Sequence, residues 1–379
     1  MPGYPTRNLY KGAYIMADKI QIGIIGFGLA GRNMHYEALI EGLSDLVDVV
    51  AIWTRRPIER VGGEGDYPVA ESVALYNDLD DLLAHPGLEA VHVTTPSGLH
   101  SDYIVAAAEA KKHVVCDKPL EVTVAKMDES IEACKRNGVA LSVNFQQRYN
   151  PHVQKLKAAI DEGRLGEIVA GSMEAKLYRQ PEYYTESSWH GKLAQDGGAA
   201  TMNQGIHYVD LIQWLMASPP ETVTKGVAQR LVHTYIEAED FGYGELVLAS
   251  GAQLEILCGT CFRPGLDQRF EIRGTNGHAT VVDGVVTQAC WDGRDRMDYF
   301  GHVEKVEFQG GAPMMGLDNH RRYFRQFYEA IQSGGEVPVP GEEGRVASEI
   351  ILGIYQAQET GGMVKFPIDA GYVPTLENI

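Results

Sequence analysis

Gly26, Gly28 and Gly31, in the run GFGLAG, follow the β-branched stretch IQIGII and precede a helix-like segment. In that setting G-x-G-x-x-G is a dinucleotide-binding turn. The first glycine permits the tight turn, the second lets the backbone approach a pyrophosphate, and the third brings helix and strand together. Phe27, Leu29 and Ala30 complete the loop, and the helix N-terminus that follows presents its amides to the anion. An NAD site places an acid for the ribose 2′-hydroxyl at the end of the next strand. That end reads Trp53-Thr54-Arg55-Arg56, whereas Asp48 sits at the strand's start, too early for the role. A hydroxyl beside two guanidinium groups suits a 2′-phosphate, so the expected cofactor is NADP(H) ahead of NAD(H). The alternative for Arg55 and Arg56 is solvated loop charge or stacking on the adenine.

Two later strand ends carry Thr94-Thr95-Pro96, with His100 following, and Cys116-Asp117-Lys118-Pro119. Ligands of open α/β sheets lie outside the carboxyl ends of strands, so Thr95, Pro96, His100, Asp117 and Lys118 point to the nicotinamide half of the site. Partial burial beside a positive nicotinamide disfavours the ammonium form of Lys118, making it able to exchange a proton with an alcohol. Pro119 fixes the turn that follows.

These residues need a frame, and the chain from 20 to 143 supplies one. The strand-like runs IQIGIIG, VDVVAIW, EAVHVTT, KHVVCD and ALSVNF alternate with helix-like segments at 29–40, 79–84, 101–110 and 122–136. This is the rhythm of a doubly wound parallel sheet. After Asn144 the rhythm changes to a helix at 151–162 and long alternating strands, among them IVAGSMEAKLY, YGELVLAS, AQLEILCGT and QRFEIRG. Amphipathic helices at 319–332 and 343–360 follow. The expected fold is α/β, a Rossmann domain followed by an α+β domain with a large, mainly antiparallel open sheet. The division reads as an extension at 1–18, a dinucleotide-binding domain at 19–144, and a substrate-binding and oligomerisation domain at 145–379.

Length and composition agree with this plan. A chain of 379 residues exceeds what one hydrophobic core commonly organises. The net charge of −18 opposes a phosphate backbone, so nucleic acid is not an expected partner. No apolar run reaches the roughly 20 residues that span a bilayer, so no membrane role is expected. Five cysteines, an odd number, read as reduced thiols of a cytoplasmic protein. The lone C-x-x-C of Cys258 and Cys261 lacks the companion ligands of a zinc site, and no metal is expected.

Taken together, GFGLAG, TTPSGLH, DKP and GGAATMNQGIHYVD resemble the glucose-fructose oxidoreductase / inositol dehydrogenase / MocA family, over the chain from Ile20 to about residue 367. The family's Glu-Lys-Pro is here Asp117-Lys118-Pro119. The resemblance implies that Lys118 lies beside the nicotinamide and the substrate hydroxyl, and that the segment from Asn144 to Arg148 crosses into the second domain, with the arginine approaching the cofactor. In GGAATMNQGIHYVD a glycine turn enters a helix on which Asn203, His207 and Asp210 share a face. A histidine titrates near neutrality, so His207 is the candidate general acid/base. Many family members have an aspartate where Asn203 stands; an asparagine hydrogen-bonds but brings no charge. Lys176 and Trp189 are further candidates for substrate contact, with Arg179, Tyr184 and His190 behind them. The resemblance implies a small polyhydroxylated substrate (a sugar, glycoside or cyclitol oxidised at a secondary alcohol or reduced at the ketone) and a homodimer or homotetramer formed through the open sheet. Two other readings exist: a glycoside hydrolase that uses a tightly held NAD transiently, and a non-enzymatic dinucleotide-binding regulator. A regulator needs neither Lys118 nor His207.

Overall fold

The computed structural model describes residues 19–55, 69–301, 317–377 and 379; the expected extension at 1–18 and the cofactor candidate Arg56 lie outside them. The first sheet is built from β1 (Ile20–Ile25), β2 (Val47–Trp53), β3 (Ala74–Tyr76), β4 (Ala90–Val93), β5 (His113–Cys116) and β6 (Leu141–Val143). Its strand order is β3-β2-β1-β4-β5-β6, parallel throughout. Ile22, Ile24, Val91, Val93, Val114 and Val115 are fully buried. Each contributes roughly 1.5–3 kcal/mol on leaving water, which is why these strands read as continuous apolar runs without alternation. Strand order reverses between β1 and β4, so a crevice opens there at the carboxyl ends of the strands.

The helices of this half are α1 (Glu37–Gly42), entered through wide π-type turns at Gly31–Tyr36, then α2 (Leu79–Leu83), α3 (His100–Glu109) and α4 (Val124–Asn137). Asp78 caps α2 by accepting from the amides of Asp80 and Asp81. The crossover is α5 (Pro151–Asp161), where Asn150 accepts from the amides of His152 and Val153 and Pro151 takes the first helical position. Short helices α6 (Pro181–Thr185) and α7 (Leu193–Asp196) precede a second π-type entry, Ala199–Gly205, into α8 (Ile206–Met216).

A second sheet of nine strands among the described residues comprises β7 (Ile168–Lys176), β8 (Pro220–Gln229), β9 (Phe241–Leu248), β10 (Gln253–Gly259), β11 (Arg269–Gly274), β12 (Gly277–Val282), β13 (Val285–Trp291), β14 (Arg294–Asp295) and, from the chain's end, β15 (Val364–Lys365). Only β7 and β10 pair in parallel; the other neighbours are antiparallel. Alternation is plain in β9, where Gly242, Gly244, Leu246 and Leu248 are buried and the intervening residues are less so. Helices α8 and α11 (Gly341–Thr360) pack on the buried side; α9 (Met297–Phe300) lies beside β13. Among the described residues no helix is long and apolar enough to cross a membrane.

Helix α10 (Asp318–Ser333) belongs late in the sequence but packs on the first sheet. Tyr328 Oη lies 2.5 Å from His92 Nε2 on β4, and Phe324 packs edge-on to the His92 ring. Arg148, on the segment that crosses between the halves, is pinned to the second one. Its Nε and Nη2 donate to the Asp210 carboxylate at 2.7 and 2.6 Å, and Nη1 donates to Glu343 on α11. This corrects the expectation that Arg148 approaches the cofactor: its buried guanidinium is used up in a planar fork on Asp210 and on Glu343. Asp210, one turn beyond His207 on α8, is the residue that meets Arg148.

A buried guanidinium stripped of its partner is costly, so Asp210→Ala should lower the unfolding free energy by about 3 kcal/mol. Urea unfolding would measure it. A loss under about 1 kcal/mol would show that Glu343 and solvent replace Asp210.

Candidate active site

A cavity of about 690 Å³ lies between the two halves, over the carboxyl ends of β1, β2, β4 and β5. Gly26 has φ +94°, and Gly31 sits so close to the β1 turn that a Cβ there would lie 2.3 Å from the Gly26 carbonyl oxygen and 2.6 Å from Thr94 Oγ1. Gly28 has open space where its Cβ would be. Tight turn, open approach and close helix contact are thus distributed over the three glycines as a pyrophosphate requires. Phe27, Leu29, Ala30, Thr54, Arg55, Thr95 and Pro96 also line the cavity. These residues fit a dinucleotide, with Arg55 exposed at the end of β2.

Two expected cofactor contacts lie behind the wall. His100 is buried with its ring nitrogens 2.8 Å from the carbonyl oxygens of Pro119 and Thr95, so it joins the β4 and β5 turns from beneath. Asn144 is buried too, and its Nδ2 donates to Asp117 Oδ1 at 3.3 Å. It orients the carboxylate that does reach the cavity. Burial opposes the charge of Asp117, but the hydrogen bond and charge of His35, with the charge of Lys118, outweigh it and hold the carboxyl well below its ordinary range.

At the other end of the cavity Lys118 Nζ donates to the Asn203 backbone oxygen at 2.6 Å and lies 3.3 Å from Asn203 Oδ1. The Asn203 amide in turn donates from Nδ2 to Asp196 Oδ1 at 2.6 Å, and the Gly191 amide donates to Asp196 Oδ2 at 2.7 Å. Burial pushes Lys118 down from its ordinary value, against the charges of Asp117 and Asp196; burial pushes Asp196 up to about 7. His207 lines the same cavity, and its Nδ1 is buried without a hydrogen-bond partner. Burial first, and the charge of Lys118 second, drive His207 well below its usual value. The imidazole is therefore held in its neutral form, with Nδ1 unpartnered.

The π-type turns at Ala199–Gly205 bring Asn203 and His207 to the cavity. They are anchored by Glu239, whose carboxylate accepts from the amides of Ala199 and Thr201 at 3.2 and 2.7 Å and from Thr201 Oγ1 at 2.7 Å. Trp189 and His190 are on the wall, with Tyr183 stacked on His190 at 4.1 Å between centroids. Tyr184 is not on the wall: it is buried and hydrogen-bonds Thr260. Lys176 is not there either. Strand alternation turns Ala175 and Leu177 inward and Lys176 outward, where Nζ pairs with Glu174 Oε2 at 2.6 Å. Arg179, past the strand's end, does reach the cavity.

Residues beyond the expected ones also serve the site: Tyr183, Gln204 and His320 line the cavity, and Asp196 braces Asn203. Gln204 follows Asn203 directly within GGAATMNQGIHYVD, where nothing marks its amide for a role. Asp196 precedes the glycine turn and could have been found as the nearest acid to a position where an asparagine replaces an aspartate. His320 comes from α10, and no local pattern places that helix beside β4; burial holds it down at about 3.

Comparison with known proteins agrees with this architecture. Residues 20–145 match the oxidoreductase family model with an NAD-binding Rossmann fold, and residues 153–280 match the GFO/IDH/MocA C-terminal domain. The chain is 30% identical over 341 residues to a scyllo-inositol 2-dehydrogenase (NADP(+)) of Bacillus subtilis, covering 86% of this chain and 90% of the relative. It is 25% identical over 351 residues to a D-xylose 1-dehydrogenase [NADP(+)] of Haloarcula marismortui, covering 92% and 93%. Among solved structures, the WlbA dehydrogenase of Bordetella pertussis in complex with NADH and UDP-GlcNAcA superposes with a TM-score of 0.81 at 27% identity, covering 93% of this chain and 99% of that one.

The depressed pKa of His207 has a measurable sign. Its contribution to stability is complete above the unfolded value near 6.5 and is lost as pH falls toward the folded one. The stability difference between wild type and His207→Gln should therefore shrink by about 2 kcal/mol between pH 7 and pH 5. Chemical unfolding across that range would check it; a constant difference would mean that His207 does not stay neutral on acidification.

Proposed function

The chain belongs to the GFO/IDH/MocA oxidoreductase family, and on that premise we propose that Lys118 and His207 carry the proton chemistry of its reaction. The protein is an NAD(P)-dependent oxidoreductase that interconverts a secondary alcohol of a sugar, glycoside or cyclitol with its ketone. The nicotinamide, when bound, accepts or returns the hydride. Residues Gly26 to Gly31 would hold the pyrophosphate, and Thr95, Pro96 and Asp117 would border the nicotinamide. Lys118 hydrogen-bonds the substrate oxygen and stabilises negative charge as it develops there. His207 takes the hydroxyl proton as hydride leaves the carbon, and returns one in the reverse direction. Asn203 fixes the Lys118 ammonium, and Asp196 supplies, one amide further on, the carboxylate that Asn203 lacks. Trp189 offers an apolar face to the substrate ring.

One observation carries this reading: an ammonium with a depressed pKa and a neutral imidazole with an unpartnered nitrogen share one cavity with the glycine turn. For the dinucleotide, Thr54 and Arg55 favour NADP(H), as does the absence of an acid in Trp53-Thr54-Arg55-Arg56. The named relatives include NADP(+) enzymes and an NADH complex, which support a nicotinamide cofactor of either kind. Association of copies through the open face of the second sheet, and a cytoplasmic site of action, belong to the same reading.

A panel of sugars, glycosides and inositols, followed by nicotinamide absorbance with NAD and NADP separately, tests it. Lys118→Met should lose at least about a thousandfold in kcat while dinucleotide Kd stays within about threefold. The wild type should bind NADPH more tightly than NADH, and Arg55→Ala should remove that difference. Wild-type turnover by Lys118→Met would refute the assignment.

A further inference from the structure

From Arg179 we infer that the substrate carries a carboxylate, so that the polyol is a sugar acid; this rests on the reading of the cavity as a hydride-transfer site. Arg179 lines the cavity just beyond β7. Its Nη2 donates to Gln204 Oε1, its guanidinium lies 5.1 Å over the Tyr183 ring, and its Nε is buried without a partner. Among the described residues no carboxylate lies within ion-pair distance of it, and Nη1 has no hydrogen-bond partner. The cation is therefore held firmly in place and left with a donor to offer.

Its position relative to the reacting centre narrows the ligand. Lys118 is held by Asn203, Arg179 by the next residue, Gln204, and the Gln204 amide also donates to Tyr183 Oη at 2.9 Å and to Asn203 Oδ1 at 3.2 Å. One amide ladder thus braces two cations side by side. Their combined field is felt at His190, which burial pushes down to about 4 against the hydrogen bond to the Tyr183 carbonyl, with both cations adding to the shift. Two cations facing one partly enclosed cavity are unfavourable unless a ligand supplies the counter-charge. Asp117 and Asp196 set their charge against Lys118, and Glu186 stands exposed at the rim, so among the described residues it is Arg179 that has no ion-pair partner. The cofactor's phosphates do not fill the need, because the pyrophosphate turn and Arg55 lie at the β1 and β2 ends of the cavity. The counter-charge falls to the substrate, on the same small molecule whose hydroxyl meets Lys118. A single free Nη1 donor suits the compact charge of a carboxylate.

The experiment measures binding to protein loaded with reduced dinucleotide, by calorimetry, for pairs differing in the acid: glucuronate and glucose, galacturonate and galactose, gluconate and glucitol, with the sugar 6-phosphates alongside. Turnover with NAD and NADP is followed on the same set. The wild type should prefer the carboxylates over their neutral partners by about ten- to a hundredfold, the worth of one charge-assisted hydrogen bond at a partly buried site. That preference should fall below threefold in Arg179→Met, survive in part in Arg179→Lys, and leave dinucleotide Kd unchanged. Equal or better binding of the neutral partners, no binding of any acid, retention of the preference in Arg179→Met, or a stronger Arg179-dependent preference for the phosphates would each overturn the carboxylate assignment. Failure of the protein to bind dinucleotide or to change nicotinamide absorbance with any alcohol would instead count against the oxidoreductase reading itself.

Discussion

The arrangement depends on keeping one ammonium group charged, placed and partly dry. Lys118 projects from the end of β5 into a space that removes most of its water, and burial alone would drive it neutral or push it out. The Asn203 backbone oxygen, 2.6 Å away, prevents this, with Asp117 and Asp196 supplying negative charge near by. Since Lys118 belongs to the first sheet and Asn203 to the entry of α8, this contact also joins the two halves at the point where chemistry occurs.

Other features of the fold can be understood as keeping that contact in register. His100 joins the β4 and β5 turns under the lysine, Asn144 aims Asp117, and Glu239 gathers the first amides of the π-type turn that carries Asn203. Arg148 pins the crossing segment to α8 and α11 through a buried fork. The wide turns matter for the same reason. The π-type entry brings Asn203 to the cavity with His207, while Asp210, one turn further along α8, serves Arg148.

The sequence made the first half largely legible because its signals are local: β-branched strands buried on both faces, a glycine motif at a strand end, and Lys118 at another. The five expected strands of the first sheet are present, and the short edge strand β3 was missed because ALY is too brief to show a period. In the second half the long strands β7, β9, β10 and β11 were visible by alternation, whereas β8, with Pro220 and Gly226 among polar residues, and the short β14 and β15 had little to mark them. The misplaced site residues failed for a shared reason. Whether Arg148, Asn144, His100 and Lys176 face a cavity or each other depends on contacts distant in sequence, such as Arg148 with Glu343. Spacing along the chain does not encode those contacts. For Lys176 alternation alone would have sufficed, since its neighbours Ala175 and Leu177 are the apolar ones.

The central claim is that the Lys118 cavity passes hydride directly between a carbinol carbon and nicotinamide C4. Its most direct test uses the alcohol that the protein turns over, prepared with deuterium at the oxidised carbon, with the reduced dinucleotide examined by NMR. The account predicts one deuterium at C4, on a single face of the ring, and none released to solvent. Deuterium in the water, with protium at C4, would contradict it.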